Sequence, residues 1–225
     1  MIELIPRASS FAAQVDGQIL LITVLVGFWF VVAEIVLFYL IFKFRHREGH
    51  RPLYVTGEEK REKRWITIPH MLVLACDVLI VVGAVRVWAH VKQDLPPADV
   101  TVRIMSQQWA WTFTDPGPDK KLDTADDVRT VDEMHVEVGK VHHFKLLSRD
   151  VIHSFSVPAF RLKQDGVPGR EIVGWFKPDR PGTYDIQCAE ICGIGHGIMG
   201  ARIVVETPEQ HAAWLEGRSR AQASR

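Results

Sequence analysis

Two hydrophobic patterns follow one another along this chain and divide it. Ile19 to Phe42 is an almost unbroken run of Leu, Ile, Val and Phe, interrupted by Glu34. About 20 apolar residues suffice for a helix to cross the hydrocarbon of a bilayer, so the run predicts a transmembrane helix. Ile66 to Trp88 repeats the pattern, with Asp77 inside and Arg86 near the end. Pro69 falls in the expected first turn, where its missing N–H costs little, and Cys76 reads as a buried, inert thiol. After Gln93-Asp-Leu-Pro96-Pro97 the period changes to short alternating runs: Val100 to Met105, Trp109 to Phe113, Val131 to Val138, Val141 to Leu147, Ile172 to Phe176, Tyr184 to Gln187 and Ala201 to Val205. Period-two alternation between turn residues predicts a β-sandwich or barrel, and places Trp109, Trp111 and Phe113 on one side. Thr207-Pro208 opens a short helix, with Thr as N-cap and Pro at the first position; Gly217 to Arg225 reads as a frayed polar tail. The expected parts are an outer leader (1–18), a helix hairpin (19–90), an all-β domain (95–206) and a helix with tail (207–225). The apolar run after the leader is long for a signal-peptide core.

Charge gives this hairpin an orientation. The formal net charge is zero, from 27 Lys+Arg against 27 Asp+Glu. The loop Lys43 to Arg64 holds eight basic residues, whereas the first eighteen residues hold one and residues 89–104 hold two. The positive-inside rule puts this loop in the cytoplasm and both termini outside. Trp65 and Trp88 fit interfacial anchoring, while Trp29 and Tyr39 read as bulk facing lipid or a partner. Glu34 and Asp77 are costly if they meet lipid. They read either as hydrogen-bonded carboxyls within the helix pair or as contacts to a partner membrane subunit. The outer segment Asp94 to Glu206 is acidic, with 13 Lys+Arg against 17 Asp+Glu.

The chemistry is concentrated in Cys188-Ala-Glu-Ile-Cys192-Gly-Ile-Gly-His196-Gly-Ile-Met199. Two thiolates, an imidazole and a thioether form a soft ligand set that suits copper better than Mg²⁺ or Ca²⁺. Gly193, Gly195, Gly197 and Gly200 let the loop curl, because glycine tolerates φ > 0. A disulfide would leave the His and Met spacing unexplained, and structural zinc takes Cys and His rather than a thioether. A mononuclear blue-copper site uses one Cys, two His and a weak Met, so here there is one thiolate too many. Two bridging cysteines would hold two copper ions and need one further imidazole. His153 offers it, in Asp150-Val-Ile-His153-Ser-Phe-Ser-Val-Pro158, where it follows a strand-like run that Pro158 ends. No Cys-x-x-Cys-His is present for a covalently attached haem.

These segments, together with Pro168-Gly169-Arg170, resemble subunit II of the haem-copper cytochrome c oxidases. The resemblance covers residues 100–206 by motif and extends over the helix hairpin. It implies a cupredoxin-like sandwich carrying a binuclear copper centre, CuA. Cys188 and Cys192 would bridge, His153 and His196 would be terminal ligands, Met199 a weak ligand, and the Glu190 carbonyl the last. It further implies that electrons enter from cytochrome c at Trp109 and pass to haem in subunit I of a proton-pumping complex, where oxygen is reduced. Ala110 departs from the family, which often has an aromatic there. The Glu190 side chain would help bind a Mg²⁺ shared with subunit I, and Glu62 matches a glutamate associated with proton uptake; the alternative for Glu62 is a solvated member of a charge run. Asp150 matches an acidic position that steers cytochrome c, to which Asp165 and Glu171 could add. The partners expected are these membrane subunits, the bilayer and cytochrome c, with no nucleic acid; the copper domain lies on the outer, periplasmic face of the cell membrane.

Other readings stay open. A quinol oxidase subunit would lack the cysteines. A copper-delivery protein of the Cys-x3-Cys type would have Pro after the second Cys and a βαβ pattern, and nitrous oxide reductase would lack the hairpin. Asp115 to Asp127 is a turn-rich insertion with five carboxylates, read either as a solvated loop or as an oxygen site for Ca²⁺. His135, His142 and His143 read as structural or exposed.

Overall fold

The apolar runs become helices longer than the sequence pattern alone required. The structure, a computed structural model, describes residues 5–49, 51 and 55–223. Residues 1–4 of the expected leader, 50 and 52–54 of the basic loop and 224–225 of the tail lie outside the described residues. Helix α1 spans Ala12–Lys43 and α2 spans Lys60–Trp88, followed by a π-helical turn, Ala89–Gln93. At 1.5 Å per residue each exceeds the roughly 30 Å of a hydrocarbon core. Both are long and apolar enough to cross a membrane.

Helix α2 starts six residues before the expected run, because Lys60-Arg-Glu-Lys-Arg64 is polar but made of good helix formers. Pro69 therefore stands inside the helix, not in its first turn. Within residues 14–89, Gln18 Nε2 donates to the Ile80 carbonyl at 3.0 Å and Trp29 Nε1 to the Cys76 sulfur at 3.3 Å. Trp29 thus turns toward α2, and Cys76 is half-buried rather than fully buried. Glu34 is half-buried and Asp77 exposed.

The second unit comprises residues 1–13 and 90–225. Ten strands form it: β1 Val100–Gln107, β2 Ala110–Asp115, β3 Val128–Val131, β4 Glu133–Glu137, β5 His142–Ser148, β6 His153–Val157, β7 Leu162–Gly166, β8 Ile172–Phe176, β9 Gly182–Cys188 and β10 Gly200–Glu206. They make two five-stranded sheets, ordered β3-β2-β1-β5-β8 and β4-β10-β9-β6-β7. Between them lie Ile104, Trp111, Phe144, Leu146, Phe155, Phe176, Ile186 and Ile203, all essentially without solvent exposure. Trp111 meets Phe155 edge-on at 5.7 Å, an arrangement aromatic rings prefer.

Three expectations about this unit need correction. The run Val131 to Val138 is two strands in different sheets, because Asp132 takes a left-handed backbone (φ 55°) between them and its carboxylate accepts the Trp111 N–H at 2.8 Å. Residues expected in a leader are part of the domain: Ala8, Ser9, Phe11 and Ala12 are buried, Ser9 Oγ donates to the Phe160 carbonyl and Phe11 packs edge-on against Trp175. The tail is helical to Ala223 as α3 (Pro208–Ala223), not frayed from Gly217. Its start is as expected, with Thr207 Oγ1 accepting the Gln210 N–H and Gln210 Oε1 accepting the Thr207 N–H, a reciprocal capping box.

The three histidines are structural. His135 bridges Glu133 and Glu206, His142 stacks on Phe176 and contacts the Glu137 carbonyl, and His143 contacts the Pro96 carbonyl. The carboxylates of the 115–127 loop are engaged by the protein itself. Asp123 pairs with Arg103 through both oxygens at 2.8 and 2.7 Å, and Asp115, Asp119, Asp126 and Asp127 accept backbone N–H groups. Among the described residues they form no cluster that could hold an ion, and Asp115 is buried.

Candidate metal centre

Adjacent strands bring the candidate ligands together. β6 pairs antiparallel with β9, with Phe155 opposite Cys188. The candidate ligand His153 is therefore two residues from the partner of Cys188, and since alternate residues share a sheet face, both point into the same end of the core. His153 opens β6, rather than following a strand as expected. The loop after β9 then turns back through a 3₁₀ turn, His196–Ile198, into β10. This returns Met199 beside Cys188, whose N–H donates to the Met199 carbonyl at 3.2 Å.

Six donors converge. The Sγ atoms of Cys188 and Cys192 are 3.7 Å apart, much too far for a disulfide, whose S–S bond is about 2.0 Å. His153 Nδ1 lies 3.9 Å from the Cys188 sulfur and His196 Nδ1 lies 3.7 Å from that of Cys192. Met199 Sδ is 3.8 Å from Cys192 Sγ, and the Glu190 carbonyl oxygen is 3.3 Å from Cys188 Sγ. His153, Cys188, Cys192 and Met199 are buried, whereas His196 is half-buried. The ligand atoms of His153, Cys188 and Cys192 all lie within 4.8 Å of one another, a set that His196 does not join. One imidazole thus lies beside each sulfur, His153 at Cys188 and His196 at Cys192.

These separations fit metal binding. With metal–sulfur bonds near 2.3 Å and metal–nitrogen bonds near 2.0 Å, a sulfur and a nitrogen on one ion stand about 3.7 Å apart at an angle near 120°. Burial pushes the Cys192 thiol up to about 11, and the adjacent Cys188 sulfur adds to the push. Two thiolates this close in a dry site need cations beside them. Thioether and thiolate donors together select a soft metal, as copper is.

Of the four loop glycines, only Gly193 uses positive φ, at 121°. Gly195 is required for another reason: a Cβ there would lie 2.4 Å from Trp109 Cδ2. Trp109 is not in the strand where alternation put it. Gln107 pairs with Ala110, so Gln108 and Trp109 form a hairpin tip that leaves the core face. From there the Gln108 side chain donates to the Cys192 carbonyl at 2.8 Å and Trp109 Nε1 to the same oxygen at 3.3 Å. Trp111 remains a core residue, edge-on to His153 at 6.2 Å.

The remaining candidates lie outside this cluster. The Glu190 side chain is exposed, with one oxygen 3.9 Å from Lys163 Nζ. Glu62, in the first turn of α2, accepts the Gly57 N–H at 2.9 Å. Asp165 accepts from Ser154 Oγ at 2.7 Å and Glu171 pairs with Lys145 at 3.1 Å. Sequence reasoning missed Gln108, whose only signal was its place before Trp109. It also read Asp150 as a surface charge, although one of its oxygens stands 2.8 Å from His153 Nε2.

Known proteins resemble this chain. The family model for the periplasmic domain of cytochrome c oxidase subunit II matches residues 100–207. The alternative cytochrome c oxidase subunit 2 of Bradyrhizobium diazoefficiens is 35% identical over 222 residues, covering 86% of this chain and 78% of that one. Cytochrome c oxidase subunit 2 of Cereibacter sphaeroides is 29% identical over 245 residues, covering 94% and 78%. The crystal structure of the periplasmic domain of subunit II of cytochrome oxidase from Bradyrhizobium japonicum superposes with a TM-score of 0.51 at 30% identity, over 57% of this chain and 99% of that domain. With two apolar helices before a β-sandwich and a soft-donor cluster at its end, the chain belongs to the cytochrome c oxidase subunit II family.

Proposed function

We propose that this chain is the subunit through which electrons enter a proton-pumping cytochrome c oxidase. Cys188, Cys192, His153, His196, Met199 and the Glu190 carbonyl would hold a binuclear copper centre, which when bound supplies one-electron exchange between a cytochrome c and the haem of subunit I. The observation that carries this reading is the sulfur pair 3.7 Å apart with an imidazole beside each sulfur. The residues do the rest. Burial excludes water from both thiolates, and strands fix the loop ends so that little has to move when charge changes. Trp109 caps the loop at the Cys192 carbonyl, where a donor docked on the outer surface would meet it. Ile191, Ile194 and Ile198, on the same loop, are 78, 98 and 85% exposed and give that surface an apolar character.

Two further roles belong to the proposal. With the Glu190 carbonyl turned to Cys188, its exposed carboxylate is free to share a Mg²⁺ with subunit I, the ion replacing Lys163 as counter-charge; a hard oxygen donor suits it. Glu62, held to the loop by the Gly57 N–H, would take up protons on the cytoplasmic side. The basic loop, cytoplasmic by the positive-inside rule, supports a copper domain outside the cell membrane. Copper analysis and electron paramagnetic resonance of the full chain in detergent test the reading. Two coppers per chain sharing one unpaired electron are expected, and one copper or a zinc in correctly folded protein would overturn it.

A further inference from the structure

Asp150 stands where two parts of the site meet. Its Oδ1 is 2.8 Å from His153 Nε2 and also accepts the Val151 N–H at 2.7 Å, while its Oδ2 accepts the Gln108 N–H at 2.7 Å. His153 has no solvent exposure, and the Asp150 side chain is 30% exposed. A carboxylate only accepts, so His153 must carry a proton on Nε2. That leaves the lone pair of Nδ1, the atom facing Cys188, free for a metal. A histidine's second nitrogen selects its tautomer in this way, and carboxylates in that position raise the basicity of metal-binding imidazoles. The other oxygen acts on the hairpin tip, whose Gln108 and Trp109 side chains both reach the Cys192 carbonyl. One carboxylate therefore braces a ligand at one sulfur and the cap over the other. These contacts also hold its carboxyl below the ordinary carboxylate range: burial pulls upward, and the Gln108, His153 and Val151 hydrogen bonds outweigh it.

We infer that Asp150 is a positioning residue of the copper centre, fixing the His153 tautomer and tying the Trp109 hairpin to the ligand set, rather than only a surface charge for docking. The inference rests on the copper reading above, and its test separates the two. In full-length chain in detergent without metal, ¹⁵N NMR of the His153 ring should show Nε2–H in the wild type and a shift toward Nδ1–H in Asp150→Ala. With copper loaded, Asp150→Ala should bind ~10–100-fold more weakly. Its reduction equilibrium should move about tenfold toward the reduced form, about 59 mV for one electron, with an altered visible spectrum. Asp150→Asn keeps one acceptor and should fall between. An Asp150→Ala chain that changes only the salt dependence of electron uptake from cytochrome c, with tautomer, potential and spectrum unmoved, would overturn the inference. Failure of the wild type to hold two coppers would defeat the copper reading, while the metal-free tautomer measurement still decides the role of Asp150.

Discussion

Substituting Gly195→Ala isolates the contact between Trp109 and the ligand loop. Gly195 has φ −88° and ψ 8°, a conformation open to alanine, so the backbone itself gives little objection. The obstacle is the indole: a Cβ would lie 2.4, 2.6 and 2.8 Å from Trp109 Cδ2, Cγ and Cε3. Carbon atoms pack at about 3.5–4.0 Å, so ring and loop must separate by about 1 Å. The Trp109 Nε1 to Cys192 carbonyl bond is already 3.3 Å long and would be lost, while the Gln108 bond at 2.8 Å anchors the hairpin. Overpacking of this kind costs about 1–3 kcal/mol. The three atoms nearest the new methyl all belong to Trp109, so copper content should stay at two per chain. Stopped-flow mixing with reduced cytochrome c should then show slower electron uptake, in the direction of Trp109→Ala. Gly197→Ala is the control, since a Cβ there meets nothing within 4 Å. Wild-type uptake in Gly195→Ala would refute the assignment of Trp109 as the point where electrons enter.

Met199→Leu should keep both coppers and shift the visible spectrum and potential, because Leu and Met differ little in volume while the thioether 3.8 Å from Cys192 Sγ is removed; loss of copper would show Met199 to be more than a weak ligand. Acid should destabilise the β-sandwich domain through His142, which burial lowers from 6.5 to about 4. The folded state then binds fewer protons than the unfolded one between these values, so stability present above pH 6.5 is lost as pH falls toward 4, by about 3 kcal/mol over the window. His142→Gln should flatten that dependence in thermal unfolding followed at pH 7 and pH 4.5, and an unchanged acid sensitivity would count against the assignment.

The parts of the fold that were legible are those in which one period dominates. A run of apolar residues has few alternatives to a membrane-length helix, and the burial of every second residue along β5 is what alternation describes. Sequence pattern failed where burial stops alternating. β6 reads His-Ser-Phe-Ser-Val, and all but its fourth residue are buried, because Ser154 is satisfied by Asp165 from the neighbouring strand β7. A polar residue buried by its partner looks like a surface residue in a single sequence. The split at Asp132 was hidden for the same reason, since its backbone conformation is stabilised by a hydrogen bond to Trp111 twenty-one positions away.

The ligand set shows the same division at closer range. Cys188, Cys192, His196 and Met199 lie within twelve residues, so their chemistry could be read directly from spacing. His153 is 35 positions from Cys188, and only the β6–β9 register brings it there. Because side chains alternate across a strand, a slip of one residue in that pairing would turn His153 to the opposite face of the sheet and leave the Cys188 sulfur without its imidazole. Asp150, three residues before His153, holds the ring that the register delivers. The loop therefore sets which donors are present, while strand register and Asp150 set where the distant imidazole points.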